Sequence, residues 1–471
     1  MLLRLEVDGF KNLSGVDVAF GPFTCIAGPN GVGKSNLFDA IAFLSLLAQH
    51  RIAEAARLVR GTEDDPTDPR ELFGRRRGAE GHDFRPIRLA AEMIVPREVR
   101  DPYGRTGEPS ITLLRYELEL AYQPPEGAER YGRVVLSNER LAHINVGDAP
   151  THIRWHHSKA FRKSVVTGAR RGAPFISTTT DNGIRVVRTH QDGGSSGRPF
   201  PARDTSSTVV GSTNSADEPT IYAAKLEMSG WRQIALDPRA MRRPDKYWET
   251  GEIAGITSAG GHLPGTLWRL GPDPAAREAV WATITGALSE LVPVERIRVV
   301  ANDANQQYEL ELSEPGGPWM GSRALSEGTL RFLALAAISA DPGAGRLLCM
   351  EEPENGIHPL RLSAMLDLLT RIAVDPMEVA GDDNPLRQVI VNTHAPGIVQ
   401  LLEGADRLGD LLVAERVVMA IDGRPTATVR FRHRSGSWRS TDDDPGVARS
   451  VAIAYLTSAV GAQLPLVAHE P

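Results

Sequence analysis

A chain of 471 residues with 41% hydrophobic and 24% charged side chains is long enough for two or three globular cores and too apolar to be a disordered chain. Its formal net charge of -6 excludes a globally basic coat for nucleic acid, and no run approaches the roughly 20 uninterrupted apolar residues of a membrane helix. Two cysteines, Cys25 and Cys349, lie inside apolar runs, which excludes a disulfide framework or a cysteine zinc site and suits buried packing in a reducing cytoplasm. The opening "MLLRLEVDGFKNLSG" lacks the basic and long apolar regions of an export signal, so the expected location is cytoplasmic, with no membrane partner.

In chain order, "LLRLEVDGF", "VDVAF" and "FTCIAG" predict three strands, the last running into "AGPNGVGKSN" at residues 27–36. A helix follows, with Leu37, Ile41 and Leu44 at helical spacing on one face. Beyond a charged loop, "IRLAAEMIV", "TLLRYELELAY" and "RVVLSNERLAHI" predict antiparallel strands and close an N-terminal lobe over residues 1–150. Residues 151–260 break the pattern with a Gly/Ser/Thr-rich stretch and a helix and strand in "TIYAAKLEMSGWRQIALD". They predict an inserted α/β lobe with a flexible loop and no heptad pattern. Residues 261–471 return to regular alternation. A helix in "PAAREAVWATITGALSELV" precedes strands in "IRVVAND" and "YELELSE", then come a helix in "GTLRFLALAAISA", the strand "RLLCM", a helix in "PLRLSAMLDLLTRIA" and the strand "QVIVNT". Alternating strands and helices predict an α/β fold with a parallel-sheet lobe.

Four stretches carry chemistry. Gly28, Gly33, Lys34 and Ser35 fit the spacing GxxxxGKS, in which glycines let backbone N–H groups curl around phosphates. In that loop Asn30, Gly31, Gly33, Lys34, Ser35 and Asn36 are the candidate nucleotide-binding residues. Lys34 reaches the terminal phosphates and the Ser35 hydroxyl is placed for magnesium. "RLLCMEEPENGIHP" delivers two acids to the C-terminal edge of a buried strand: Glu351 to hold magnesium through water, Glu352 to orient or deprotonate an attacking water. In "ALSEGTLR", Ser326 and Gly328 open a helix whose hydroxyl, free N–H groups and dipole suit a γ-phosphate. In "VIVNTHAP", His394 ends an apolar strand where an imidazole can bond a terminal phosphate.

Read in order, "GPNGVGKSN", "LSEGTLR", "CMEEPENGIHP" and "NTHAP" resemble the Walker A loop, signature motif, Walker B strand with D-loop, and switch histidine of ABC-type ATPases, and among these the RecF/SMC-like branch, often described as AAA family ATPases. The resemblance covers about residues 1–150 and 260–430. It implies an ABC-type P-loop ATPase head with a mixed sheet, an antiparallel β subdomain and no long coiled coil, using ATP and Mg2+. It also implies a head-to-head homodimer in which Ser326 and Gly328 of one copy complete the site built on Lys34 of the other. Glu352 is then the general base, the segment from Glu354 to His358 crosses the interface, and His394 senses the γ-phosphate. Glu351 stands where aspartate is commoner in the family and "NTHAP" replaces "THSP", which implies slow turnover; Gln123, in a turn, is not assigned as the Q-loop glutamine.

The same resemblance implies an ATPase acting in DNA repair or in anti-phage defence, where relatives control a nuclease effector. About 77 residues follow His394, fewer than a nuclease domain of ordinary size occupies, so the expected nuclease is a separate chain. DNA is the softer partner expectation: "GRRRG" (Arg75, Arg76, Arg77) and "RFRHRSGSWR" are local clusters that could contact phosphates, although each alone reads first as a solvated loop. The alternatives are a nucleotide-dependent scaffold with little turnover and, more distantly, a transport ATPase subunit, whose signature would follow the phosphate loop by about a hundred residues rather than nearly three hundred. The acids Asp442, Asp443 and Asp444 read as a solvated turn capping a helix in "PGVARSVAIAYL". The histidines His152, His156 and His157 have no companion ligand in the sequence for zinc.

Overall fold

Two large sheets, built from the alternating N-terminal runs and the apolar C-terminal runs, share the first helix between them. The computed structural model describes residues 1–78, 81–125, 131–190, 199–249, 255–421, 423–442 and 444–448. The strands of the two sheets are β1 (Leu2–Asp8), β2 (Val16–Ala19), β3 (Phe23–Ala27), β4 (Ile87–Ile94), β5 (Leu113–Gln123), β6 (Arg133–His143), β7 (Ile176–Asp181), β8 (Ile184–Thr189), β9 (Phe200–Pro201), β10 (Trp231–Ile234), β11 (Leu347–Glu351), β12 (Gln388–Thr393), β13 (Leu411–Ile421) and β14 (Arg424–His433). The first sheet is antiparallel throughout, in the order β9-β8-β7-β6-β5-β4-β1-β2. The second runs β10-β11-β12-β3-β13-β14 and is parallel except for β14, which returns antiparallel along β13. The fold is therefore α/β, with a mixed sheet and an antiparallel sheet.

Helix α1 (Lys34–Leu47) follows β3 and is buried by both layers: Leu37, Phe38, Ile41 and Leu44 share a core with Leu5 of β1 and Leu118 of β5. Helices α2 (Glu327–Ala340) and α3 (Leu362–Ile372) cover the opposite face of the mixed sheet, through Leu330, Leu333, Met365 and Leu369. The strands between are apolar on both sides. Ile26, Cys349, Ile390 and Leu412 face the α1 side, while Cys25, Leu348, Val389 and Leu411 face α2 and α3. Full burial of each such leucine or isoleucine contributes about 1.5–3 kcal/mol before entropic costs. Both cysteines are free and buried in β3 and β11.

Residues 151–260, expected as an inserted lobe, supply strands to both sheets: β7, β8 and β9 lengthen the antiparallel sheet, and β10 edges the mixed one. The helix Pro219–Ser229 buries Ile221, Ala223 and Met228 in the core shared with α1. The strand pattern was hard to read because "ISTTTD" and "IRVVRT" are polar, and much of β7 and β8 is exposed. Of the expected flexible loop, residues 191–198 lie outside the described residues, as do Asp443 and the expected terminal helix from residue 449 onward. Among the described residues the helix Pro274–Ser289, at 16 residues, is long enough for a surface helix and too short for a coiled-coil arm. No described helix is long and apolar enough to cross a membrane.

Candidate functional site

Three parallel strands end together. β3 runs into the Gly28–Gly33 loop, β11 ends at Glu351, and β12 lies between them, pairing Glu351 with Asn392 and Thr393 with Ala27. Gly28 N–H donates to the Thr393 carbonyl at 3.2 Å and Glu352 N–H to the Asn392 carbonyl at 3.0 Å, so loop, acids and His394 are fixed by one sheet edge. This is where open parallel sheets place ligands.

The loop has the shape of a phosphate cradle. Gly31 and Gly33 have φ of 77° and 111°, and a Cβ on Gly28 would lie 2.7 Å from the Ala414 carbonyl oxygen. Asn12, not singled out from the sequence, braces the loop: its side chain donates to the Val32 carbonyl at 3.4 Å and accepts from Asn36 at 2.6 Å. Asn30 and Gly31 are exposed at the tip, and Ser35 is half-buried in the first turn of α1. Lys34 is 6% exposed, and its ammonium donates to the carbonyls of Gly28 at 2.6 Å and Pro29 at 2.9 Å, folded onto the loop. Burial pulls it below the usual lysine range, against the pull of Glu352, Glu354 and Glu351.

Glu351 accepts from the Gln233 side chain at 2.8 Å. Gln233 comes from β10, beside β11, and was missed in the sequence; the signal available was an amide within a short strand otherwise framed by Trp231 and Ile234. Gln123, by contrast, ends β5 in the other sheet and accepts from Arg133 and Arg203. Glu352 sits at φ 45°, its carboxylate shared between His394 Nδ1 at 2.8 Å and the Asn355 amide at 2.7 Å. Burial alone would raise its carboxyl; the hydrogen bonds from Asn355 and His394 and the charges of His394 and Lys34 outweigh it and hold the group below the usual carboxylate range. Glu354 is buried, takes a hydrogen bond from the Thr393 hydroxyl, and is pushed up by burial.

Ser326 caps α2, accepting from Thr329 N–H at 3.1 Å, and is exposed. Gly328 lies against the turn after β11, where a Cβ would meet the Gly356 carbonyl at 3.2 Å. Lys34, Glu351, Glu352 and His394 are thus gathered at one edge, whereas Ser326 and Gly328 belong to a neighbouring helix end. The loop's glycines fit triphosphate oxygens, and the Ser35 hydroxyl and the Glu351 carboxylate, the latter held by the Gln233 amide, are oxygen donors of the kind magnesium takes.

Other sequence candidates are engaged locally. His152 meets Glu92 at 2.6 Å and His157 the Trp155 carbonyl at 2.7 Å. In "RFRHRSGSWR", Arg432 pairs with Glu415 at 2.7 Å and Arg439 is buried, so those cations do not form one open patch. Among the described residues, Asp245, Glu249 and His262 are close enough to share a cation; Asp245 already accepts from Gly265 N–H at 2.7 Å and pairs with His262 at 2.8 Å.

A glycine loop with its lysine, two acids on a strand of the same sheet, a strand-end histidine and a serine-capped helix are the features by which the chain resembles ABC-type P-loop ATPase heads of the RecF/SMC-like branch. Residues 225–400 match the family described as "AAA domain, putative AbiEii toxin, Type IV TA system", and residues 4–48 match one described as "AAA domain". The chain is 42% identical over 64 residues to DNA replication and repair protein RecF of Paenarthrobacter aurescens, a match covering 13% of this chain and 16% of the relative. It is 58% identical over 45 residues to structural maintenance of chromosomes protein 1 of Schizosaccharomyces pombe, covering 9% and 4%. The match to the RecF relative thus spans about a sixth of that protein's length. Among solved structures, the SmcHead bound to the C-winged helix domain of ScpA aligns with TM-score 0.45 and 16% identity over 91% of this chain and 97% of that one.

Proposed function

We propose that this chain binds and hydrolyses ATP as one half of a nucleotide-gated clamp, closing on a second copy so that Ser326 and Gly328 of one protomer meet the triphosphate held by Lys34 of the other. The observation that carries the reading is the meeting of Lys34, Glu352 and His394 at one strand edge, with the lysine ammonium resting on the loop carbonyls. In this reading Asn30, Gly31, Gly33 and Asn36 shape the phosphate cradle and Lys34 neutralises the terminal phosphates. Ser35 and Glu351, the latter fixed by Gln233, would hold magnesium, and the ion when bound would supply charge neutralisation on the phosphate oxygens. Glu352 takes the proton of the attacking water, and His394 orients Glu352 and the γ-phosphate. The name of the RecF relatives supports a role in DNA repair, and the toxin-system description of the matched family supports the defence alternative. A cytoplasmic location and a separate nuclease effector in anti-phage defence belong to the reading through the sequence resemblance alone.

Glu352→Gln keeps the shape of the side chain and removes the base. It should lower turnover by about 10²- to 10⁴-fold and trap an ATP-bound dimer on size-exclusion chromatography. Turnover within threefold of the native protein, or a variant that stays monomeric with ATP, contradicts the reading. The nucleotide-dependent scaffold is favoured by one feature: both oxygens of the Glu352 carboxylate are already engaged. It predicts ATP-dependent dimers of the native chain without phosphate release.

A further inference from the structure

Away from the two large sheets, a smaller one built on the strands Arg296–Asn302 and Gln307–Ser313 lies between β10 and α2 in the chain. The two-residue strand Asp245–Lys246 joins it, with Asp245 opposite Tyr308. The turn that follows carries Glu249, and His262 precedes the helix Leu263–Arg269. One ligand atom from each of Asp245, Glu249 and His262 falls within 4.8 Å of the other two. The Asp245 side chain is buried, and a buried carboxylate so near a second one is costly unless a cation compensates both. His262 Nδ1 meets Asp245 Oδ1 at 2.8 Å, while Gly265 N–H holds Oδ2 at 2.7 Å. Neighbouring ligand atoms of an ion with bonds of about 2.1 Å stand roughly 3–3.5 Å apart. The histidine–aspartate pair therefore has only a few tenths of an ångström to open before a metal fits where a proton is now shared.

Two observations outside this triad favour an ion. The elements that carry the ligands are already stacked together: Tyr247 of the turn lies on Tyr308 and Tyr308 on Trp268 of the helix, with ring centroids 4.7 and 4.6 Å apart, and the Tyr247 hydroxyl donates to Asp303 at 2.9 Å. Ligands held in place by such packing need little ordering when an ion arrives. The second observation is Thr266, fully buried, whose N–H donates to the His262 carbonyl at 2.9 Å and whose hydroxyl has no hydrogen-bond partner among the described residues. Residues four apart share a helix face, which puts this hydroxyl on the side where His262 meets Asp245. An unpaired buried hydroxyl is costly, and a water held by the ion is the partner this position offers.

We propose that Asp245, Glu249 and His262 bind one first-row divalent cation, zinc or manganese, at a site separate from the nucleotide and its magnesium. An imidazole beside two carboxylates suits these ions, whereas magnesium and calcium take oxygen ligands. The ion displaces the proton shared by His262 and Asp245, which leaves to solvent. Once bound, it fastens the turn over residues 245–249 to the helix Leu263–Arg269. It thereby stiffens the small lobe that borders the signature helix, where Arg242 donates to the Leu325 carbonyl at 3.0 Å, one residue before Ser326. The proposal does not rest on the ATPase reading.

The test is isothermal titration calorimetry of the chelator-treated, nucleotide-free full chain with zinc chloride and, separately, manganese chloride. One ion per chain should bind, and excess magnesium chloride should not displace it. Glu249→Gln, at a half-buried position, and His262→Asn should each weaken the Kd by about tenfold to a hundredfold or more. Asparagine is the replacement because His262 has φ 62°, which that residue tolerates. Thr266→Val, which keeps the shape and removes the hydroxyl, should weaken it by about tenfold, and His394→Ala should leave it unchanged. The ion should raise the thermal midpoint of the native chain and not that of Glu249→Gln. Failure of both ions to bind overturns the site, as does tight binding that survives both Glu249→Gln and His262→Asn in chains that still melt cooperatively. Loss of binding in His394→Ala would move the ion to the nucleotide edge, displacement by magnesium would overturn the class of ion, and unchanged affinity in Thr266→Val would overturn the part given to the hydroxyl.

Discussion

Three glycines of the phosphate loop are glycine for different reasons, and alanine at each should separate them. At Gly31 the φ of 77° is the whole cost, because a Cβ there has nothing within 4 Å; a left-handed alanine costs about 1–2 kcal/mol. At Gly28 no left-handed φ is involved, but the new Cβ would sit 2.7 Å from the Ala414 carbonyl oxygen of β13, a backbone atom that cannot step aside, and overpacking of this kind costs about 1–3 kcal/mol. Gly33 carries both penalties, with φ 111° and a Cβ 2.5 Å from Asn12 Nδ2 and 2.7 Å from Val429 Cγ2, a sum of about 2–5 kcal/mol. Asn12 is also the brace of the loop, so the strain should be relieved by moving the cradle. The strain should therefore appear as lost affinity, about 30-fold or more for Gly33→Ala. Fluorescence anisotropy of a labelled ATP analogue on the full chain reads the order directly: Gly33→Ala weakest, Gly31→Ala mildest or equal to Gly28→Ala. Binding by Gly33→Ala within threefold of the native protein, or Gly31→Ala as the worst of the three, would refute the assignment of costs.

Two further predictions concern stability. Glu139 is fully buried on β6, accepting from Val209 N–H at 2.7 Å, Val210 N–H at 3.0 Å and the Tyr116 hydroxyl at 3.1 Å, and burial pushes its carboxyl from 4.5 up to about 7. Because the folded chain holds this proton more tightly than the unfolded one, the contribution is complete below pH 4.5 and is lost as pH rises through 7, by about 3 kcal/mol at most. Urea midpoints across that range should fall in the native chain and flatten in Glu139→Gln; parallel curves would contradict the assignment. Arg439, 4% exposed, donates to the Ala19 carbonyl at 2.8 Å, the Thr24 hydroxyl at 3.1 Å and the Gly409 carbonyl, with Trp438 stacked on it. Arg439→Ala leaves those acceptors unpaired and should cost about 2–4 kcal/mol, seen as a lower urea midpoint; an unchanged midpoint would show that solvent replaces the guanidinium.

The parts of the site legible in the sequence were those whose signal is local. The loop from Gly28 to Ser35, the acids after "RLLCM" and the histidine after "VIVNT" each sit at the end of an apolar run that names its own strand. What stayed hidden depends on neighbours far along the chain. Gln233 meets Glu351 only because β10 pairs with β11, a relation between residues 118 apart that periodicity does not encode. Asn12 serves the loop from the turn before β2, and Asn355 serves Glu352 through a turn geometry that composition does not announce. The double-sided burial of β3 was also unreadable, since "FTCIA" is apolar at nearly every position and its alternation between two cores appears only when the layers are known.

That double-sided burial has a cost in time. β3 pairs on one side with residues 389–393 and on the other with residues 411–413, so the strand that launches the phosphate loop leaves the ribosome more than 350 residues before either neighbour exists. At about 5–20 residues per second, the nascent strand waits roughly 20–70 s with both ladders open and the face of Phe23, Cys25 and Ala27, which α2 and α3 will cover, bare. A chaperone that shelters β3 during that interval should therefore raise the yield of native protein.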